Sequence, residues 1–150
     1  MKVHRRWGGE AWTVFESVRY SAACQTCDAE MECWGVQALV GDQLRWDVES
    51  TCCACGFAEA VCGGAGAMPT ERRAQMLAEH GAAWLQVDPP SARSVTIMRV
   101  LRAELGIDLI EARATLHRVL DGDCSGTLPE MEHLARALRR AGISAAATRR

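Results

Sequence analysis

Four of the eight cysteines in this sequence stand in two Cys-x-x-Cys pairs, and they offer the clearest chemistry in the chain. Cys24 and Cys27 form the first pair, Cys52 and Cys55 form the second, and 24 residues separate Cys27 from Cys52. Two tight turns of this kind can close a tetrahedral shell of thiolates around Zn²⁺ if the intervening chain runs out and back. A four-thiolate shell leaves no position for substrate or water, so the sequence predicts a structural Zn²⁺ ion.

Other uses of the cysteines remain open at this stage. Cys53 and Cys55 form a Cys-x-Cys alternative within the second pair. Cys33 and Cys62 are spare candidate ligands, although free Cys often serves as a small core residue in strands. The thiols can also be merely buried or redox-active, and exposed thiols of low pKa would suit a metal or redox sensor.

The N-terminal residues show no apolar signal-peptide core, and no stretch approaches the length of a membrane span. We therefore expect a cytoplasmic protein with no membrane partner. Thiols stay reduced in that compartment, where paired Cys-x-x-Cys motifs more often hold metal than form disulfides.

Strand patterns surround the two cysteine pairs. Leu44, Trp46 and Val48 alternate with polar residues, which is typical of a half-buried strand, and Gly41 and Asp42 mark the turn before it. Further strands are predicted for residues 12–20, 32–40 and 57–62.

The residue after each pair lies where the chain bends back and a positive φ is expected. Gly56 follows the second pair and can adopt a positive φ where the chain bends back. Asp28 holds the equivalent place after the first pair, where Asp tolerates that conformation less well. With the strands around them, the two pairs resemble a zinc ribbon.

Composition changes between the two halves of the chain. Residues 1–66 contain seven cysteines, four of the five tryptophans, nine acidic and five basic side chains. Residues 67–150 contain twelve arginines and ten acidic side chains, so the halves have formal charges of −4 and +2. The sequence therefore predicts two domains, 1–66 and 67–150. The positive balance is too weak to indicate nucleic-acid binding by charge alone.

The second half predicts helices between two short strands. A helix over 68–80, with Thr70 as a plausible N-cap, precedes a strand at 82–87, and an edge strand closes the chain at 143–148. Three helices lie between these strands. Their predicted buried faces are Ile97, Val100, Leu101 and Leu105; Leu109, Ala112, Leu116, Val119 and Leu120; and Met131, Leu134, Ala135, Leu138 and Ala141.

The ends of these three helices are marked as well. Gly106 stops the first helix, and the spacing of Asp108 and Glu111 resembles a capping box that opens the second. Thr127 and Glu130 have the same spacing at the start of the third helix.

Residues 83–148 resemble the C-terminal domain of bacterial ribosomal protein L7/L12. The runs that carry the resemblance are Ile97-Met-Arg-Val-Leu-Arg102, Leu105-Gly-Ile-Asp-Leu-Ile-Glu-Ala-Arg113 and Leu134-Ala-Arg-Ala-Leu-Arg-Arg-Ala-Gly142. The resemblance implies an αβ sandwich whose basic side chains dock translation factors, and Arg99, Arg102 and Arg113 fall on matching positions. Ile110 replaces a lysine of the family pattern and Leu105 replaces a threonine. The predicted fold class is therefore α+β, a zinc-ribbon-like β unit followed by an L7/L12-like domain.

A calcium-loop pattern competes for the segment after the second of these helices. Asp121, Asp123, Ser125 and Glu132 match EF-hand ligand positions, with Gly126 at the turn. The helix cap explains the same segment, and no second EF-hand is present to pair with it. The cap is therefore the favoured interpretation.

No catalytic constellation emerges, since the four histidines are scattered along the chain. The sequence predicts a non-enzymatic protein-binding protein of the immunity or antitoxin type, whose acidic residues mask a basic toxin. These acidic residues are Asp28, Glu30, Glu32, Asp42, Asp47 and Glu49. The rival hypothesis is a zinc-ribbon nucleic-acid-binding or translation-associated regulator, with nucleic acid the less favoured partner.

Overall fold

The computed structural model describes residues 5–6, 12–63, 67–89 and 92–150. This part of the chain contains four helices and eight strands in an α+β architecture with two antiparallel sheets. Two compact units are present, Met1–His80 and Gly81–Arg150. None of the helices within the described ranges is long and apolar enough to cross a membrane.

The boundary between the units differs from the one that composition predicts after residue 66. Helix α1 (Thr70–His80) belongs to the first unit, where Met76 is fully buried against Val18 and Trp46. The Gln75 side chain also donates a 2.7 Å hydrogen bond to the carbonyl oxygen of Arg19. Composition misplaces the boundary because α1 resembles the second half in its arginine content while it packs on the first sheet.

The first sheet is a five-stranded meander in which each strand pairs with the next along the chain. Because successive strands are antiparallel, the β2–β3 and β4–β5 connections lie at the same end of the sheet, and both cysteine pairs are in these connections. The turn predicted at Gly41-Asp42-Gln43 lies at the opposite end, where Gly41 has a φ of 60°. It is one residue shorter than predicted, because Gln43 already pairs with Val40. The strands are β1 (Arg5–Arg6), β2 (Trp12–Ala23), β3 (Glu30–Val40), β4 (Gln43–Thr51) and β5 (Ala58–Cys62).

One face of this sheet is closed by α1 and by the ring of Trp46, which is only 8% exposed. The ring lies over the backbone of β3 at Gly35, where a Cβ atom would overlap it. Gly35 is therefore required by close approach, because its φ does not demand glycine.

The second unit has a three-stranded sheet in the order β7-β6-β8, and helices supply most of its core. The predicted order of a strand, two helices, a third helix and an edge strand is present, with the two-residue β7 added. Ala83 and Leu85 of the central strand are fully buried beneath the helices. The elements are β6 (Ala83–Val87), α2 (Ser94–Leu105), α3 (Leu109–Leu120), β7 (Ser125–Gly126), α4 (Leu128–Arg140) and β8 (Ala145–Thr148).

The predicted helix ends of this unit are confirmed. Gly106 has a φ of 63° and its N–H donates to the Arg102 carbonyl oxygen, which ends α2. The Asp108 carboxylate accepts from the Glu111 N–H at 2.8 Å at the start of α3. At the start of α4 the capping box of Thr127 and Glu130 has both of its hydrogen bonds.

The predicted buried faces hold in the middle of the helices and fail at their ends. Ile97, Leu101, Leu116, Leu134 and Leu138 are buried as expected. The exposed fractions of Leu105, Leu109 and Leu120 are 44%, 51% and 46%, so their predicted burial is wrong. Each of these three is the first or last residue of its helix, where an apolar stripe extends past the elements that cover it.

We expect the substitution Gly35→Ala to lower the free energy of unfolding of the first unit by about 1–3 kcal/mol, because the added methyl group displaces the Trp46 ring from a closely packed site. Denaturant unfolding of the metal-loaded protein, followed by tryptophan fluorescence, measures this loss. In a Trp46→Phe background the loss should shrink, since the smaller ring leaves space. An equal loss in both backgrounds would show that ring overlap is not its cause.

Candidate metal centre

The two hairpin connections bring four sulfur atoms together at one end of the first sheet. The Sγ atoms of Cys24, Cys27, Cys52 and Cys55 all lie within 4.8 Å of one another. Cys24 and Cys55 are 3.7 Å apart and Cys27 and Cys52 are 3.6 Å apart at sulfur, far beyond the bonding distance of a disulfide, about 2 Å.

These separations fit a tetrahedral metal ion. A thiolate binds Zn²⁺ at about 2.3 Å, which places two ligands of a regular tetrahedron about 3.8 Å apart. The closest sulfur pairs lie within 0.2 Å of that value. A donor set of sulfur alone suits zinc or iron and does not suit the oxygen-seeking ions Mg²⁺ and Ca²⁺.

The two cysteine turns have the same backbone hydrogen bonds. In the first turn the Cys24 N–H donates to the Ala29 carbonyl oxygen at 2.8 Å, and the Asp28 N–H donates to the Cys24 carbonyl oxygen at 3.0 Å. In the second turn Cys52 makes the equivalent bonds with Phe57 and Gly56, at 2.8 and 2.9 Å. The repeated pattern gives the two pairs of sulfurs similar positions within their turns.

The bend that follows each pair uses the left-handed region. Gly56 has a φ of 75° and Asp28 a φ of 60°, as the sequence pattern predicts. A non-glycine residue in this region costs roughly 1–2 kcal/mol, so the first turn is under some strain that the second avoids.

Burial divides the four ligand candidates into an inner and an outer pair. Cys24 and Cys52, the first residues of their turns, are 1% and 3% exposed and pack with Met31 and Cys33. Cys27 and Cys55 are exposed. Two sulfurs therefore belong to the core of the sheet, and the other two close the centre from the solvent side.

Crowding links the protonation of these thiols. Hydrogen bonding from the Thr26 backbone lowers the pKa of Cys24 to about 7, against the opposing effect of burial. At Cys55 the Phe57 backbone lowers the pKa, but burial and the neighbouring thiols outweigh it and raise the pKa to about 12. The four groups therefore cannot all ionise near neutral pH unless a cation replaces their protons.

The other cysteines lie outside this group. Cys53 is exposed in the second turn and does not join the four sulfurs, so the Cys-x-Cys alternative is not the arrangement observed. Cys33 is buried in β3, where the Ser50 hydroxyl donates to its sulfur at 3.4 Å. Cys62 is exposed on the edge strand β5, which differs from the core position that the sequence indicates.

Two residues of the calcium-loop pattern take part in local contacts. Asp121 caps the C-terminus of α3, and the Glu132 carboxylate pairs with Arg136 at 3.0 Å and Arg139 at 2.8 Å. Across the described ranges, the four-cysteine group is the one cluster of three or more side chains that could hold a metal ion. The helix cap is thus the interpretation that fits this segment.

The predicted partner-binding residues occupy exposed positions in both units. Asp28 and Glu30 lie beside the metal centre, and Glu32 follows on β3, where it pairs with Arg19 at 3.5 Å. The helix residues Arg99, Arg102 and Arg113 are exposed on α2 and α3.

Sequence reasoning missed two exposed apolar features. Ile110 is 81% exposed and lies beside Leu109 in an open groove of α3, and Trp34 is 43% exposed on β3. Glu30 and Glu32, which alternate with Met31 and Cys33 along β3, mark the position of Trp34 as outward-facing. Helical periodicity leaves Ile110 outside the predicted buried face of its helix, which is the signal for its exposure.

Comparison of the chain with protein-family models, with curated proteins and with solved structures found no match. The assignment of a candidate metal centre therefore depends on its geometry. Four clustered cysteines in an antiparallel β region are compatible with a zinc ribbon, and they could hold a metal ion.

We expect Cys→Ser substitution at position 24, 27, 52 or 55 to abolish tight binding of one metal ion per chain, because each removes a sulfur from the tetrahedron. Elemental analysis of the purified protein after dialysis gives the stoichiometry. Cys53→Ser is the matched control and should retain the full equivalent, since Cys53 lies in the same turn but outside the group. Equal loss in the control would contradict this ligand set.

The affinity for Zn²⁺ should fall as the pH falls. The raised pKa of Cys55, about 12, keeps its proton in the metal-free protein. Cys27 behaves alike: the Ala29 backbone lowers its pKa, but the Cys52 and Cys24 thiols and burial together outweigh that effect and raise it. Displacing two protons corresponds to about a hundredfold loss of affinity per unit of pH lowered. Below about pH 7 the protonation of Cys24 steepens this loss.

Competition with a chelator between about pH 6 and pH 8.5 measures this dependence. An affinity that does not change over that range would mean that binding displaces no thiol protons.

Proposed function

We propose that this chain is a non-enzymatic protein-binding protein whose first unit is held together by a structural Zn²⁺ ion. The closed set of four sulfurs supports the structural role, because a metal ion bound by four thiolates has no position left for a reacting molecule. Binding of the ion also supplies stability to a β unit with a small core of its own.

The single observation that most directly supports the proposal of protein binding is the exposed apolar groove of α3. It is lined by Leu109, Ile110, Ala114, Arg113 and His117. Leu109 and Ile110 expose 51% and 81% of their surface. Adjacent aliphatic side chains held in water are unfavourable, and patches of this kind flanked by polar groups typically mark protein interfaces.

Within this class we favour an immunity or antitoxin-type role. The first unit exposes Asp28, Glu30, Glu32, Asp42 and Glu49, and Asp47 is half-buried beside them. An acidic surface of this kind can cover a basic toxin surface, and charge complementarity speeds the association. The proposed cognate partner is therefore a toxin with a cationic surface.

A translation-associated or nucleic-acid-binding regulator is the alternative. Arg99, Arg102 and Arg113 are exposed at the positions where the L7/L12-like pattern has basic residues, which favours a translation factor as partner. The family's lysine is replaced by Ile110, so the α3 groove is more apolar than that pattern implies. Binding of RNA with a steep dependence on salt concentration would favour this alternative.

We expect Ile110→Asp to weaken capture of the native protein partner by about tenfold or more, because it places a charge in the centre of the apolar groove. Val95→Asp is the matched control, since Val95 is 72% exposed on α2 and does not line the groove. Tagged variants expressed in the native host, followed by affinity purification and quantitative mass spectrometry, measure capture. Equal capture by both variants, or no stable protein partner of the unsubstituted chain, would contradict the proposal.

A further inference from the structure

Beyond the α3 groove, the structure exposes a second apolar side chain, on the face of the first sheet that points away from Trp46. Trp34 lies in the middle of β3 with 43% of its surface exposed, while its neighbours Cys33 and Gly35 are buried on the opposite face. Directly opposite Trp34 are Arg19 on β2 and Glu49 on β4. Because paired residues of an antiparallel sheet share a face, these three side chains form one row.

This row already accommodates one guanidinium group. The Arg19 Cζ atom lies 5.8 Å from the centroid of the Trp34 ring, and its Nη1 atom lies 3.5 Å from a Glu32 oxygen. Both charged side chains are highly exposed, at 73% and 62%, so this contact is weakly held and contributes little stability. The local chemistry is therefore that of an aromatic ring beside a carboxylate, which suits a planar cation.

On the β4 side of Trp34, Glu49 supplies a second carboxylate. Glu49 is exposed directly across from Trp34, and within the ranges that the structure describes its carboxylate forms no ion pair or hydrogen bond. A second guanidinium group placed there would contact the indole ring and a carboxylate at once. We call Arg19, Glu32, Trp34 and Glu49 the indole face.

We propose that the indole face binds an arginine-rich segment of a protein partner. This inference deepens and rests on the proposed function, because it names the chemistry by which a basic partner is recognised. The partner's guanidinium groups stack on Trp34 and pair with Glu49, and they compete with Arg19 for Glu32. Arginine is favoured over lysine because its planar group stacks on an aromatic ring and also forms paired hydrogen bonds with a carboxylate.

The charge of the indole face determines which kind of partner it can bind. Its carboxylates outnumber its single arginine, so a phosphate backbone is repelled even though an exposed indole can stack on a base. A second copy of the chain would set like charges against one another. A cationic protein segment is the occupant that matches both the ring and the carboxylates.

The test uses the full-length, zinc-loaded protein and an octa-arginine peptide as probe. The indole N–H signal of Trp34 in a nitrogen-15 correlation spectrum is assigned by its loss in Trp34→Thr. Addition of octa-arginine should shift this signal in a saturable way, and octa-lysine should bind more weakly. Binding measured by calorimetry should weaken about threefold or more in Trp34→Thr and in Glu49→Gln. Thr retains strand propensity at this exposed site, and the remaining spectrum verifies that the variant is folded.

Glu59→Gln is the matched control for charge, because it removes one exposed carboxylate of the same sheet on the opposite face from Trp34. Its affinity for octa-arginine should stay within about twofold of the unsubstituted protein. The proposal is overturned if Glu59→Gln loses as much affinity as Glu49→Gln, or if Trp34→Thr binds as well as the unsubstituted chain. A shift of the Trp34 signal by RNA or by self-association, with none by the peptide, also overturns it.

The same variant separates this inference from the broader proposal. If Trp34→Thr captures the native partner as well as the unsubstituted chain does, protein binding stands and the role of the indole face is overturned. If no partner is captured by either protein while octa-arginine still shifts the Trp34 signal, the proposed function fails and the cation-binding chemistry stands.

Discussion

The convergence of four sulfur atoms between two hairpins is the constraint on which the first unit depends. Of the four buried residues that form the core cluster at this end of the sheet, Cys24 and Cys52 are themselves ligand candidates. The place that large aliphatic side chains take in most domains is therefore taken here by thiols. The second unit differs, because its core of thirteen buried residues contains one thiol, Cys124, and no ligand candidate. Under the proposed function, the stability of the first unit depends on metal supply, whereas that of the second depends on packing.

Local sequence signals predict most of the fold. The alternation around Trp46, the Gly41–Asp42 turn and the capping pairs at Asp108 and Thr127 act over a few residues, and the structure contains each of them. The assignment of α1 depends on which sheet its apolar face meets, and composition does not carry that information. Burial at the ends of helices is equally hard to predict, because periodicity continues through Leu109 and Leu120 while the covering elements stop short.

The candidate sites also differ in how far the sequence predicts them. The metal ligands are predictable because a Cys-x-x-Cys pair is a local motif, and hairpin topology then determines which pairs meet. The α3 groove is only partly predictable, because periodicity leaves Ile110 off the buried face but places Leu109 on it, and only the packed structure shows that both reach solvent. The exposed Trp34 is intermediate, since strand alternation predicts its direction but not the unpaired carboxylate beside it.

The length of chain between the cysteine pairs follows from the sheet rather than from the metal ion. Residues Glu32–Val40 pair with Gln43–Thr51 in continuous register between the distal turn and the ligands. An insertion of one residue within either strand would slip the ladder by about 3.3 Å and turn the following side chains to the opposite face. Natural variants that lengthen or shorten this segment should therefore carry the change at the tip around Gly41, or as compensating pairs of residues in both strands.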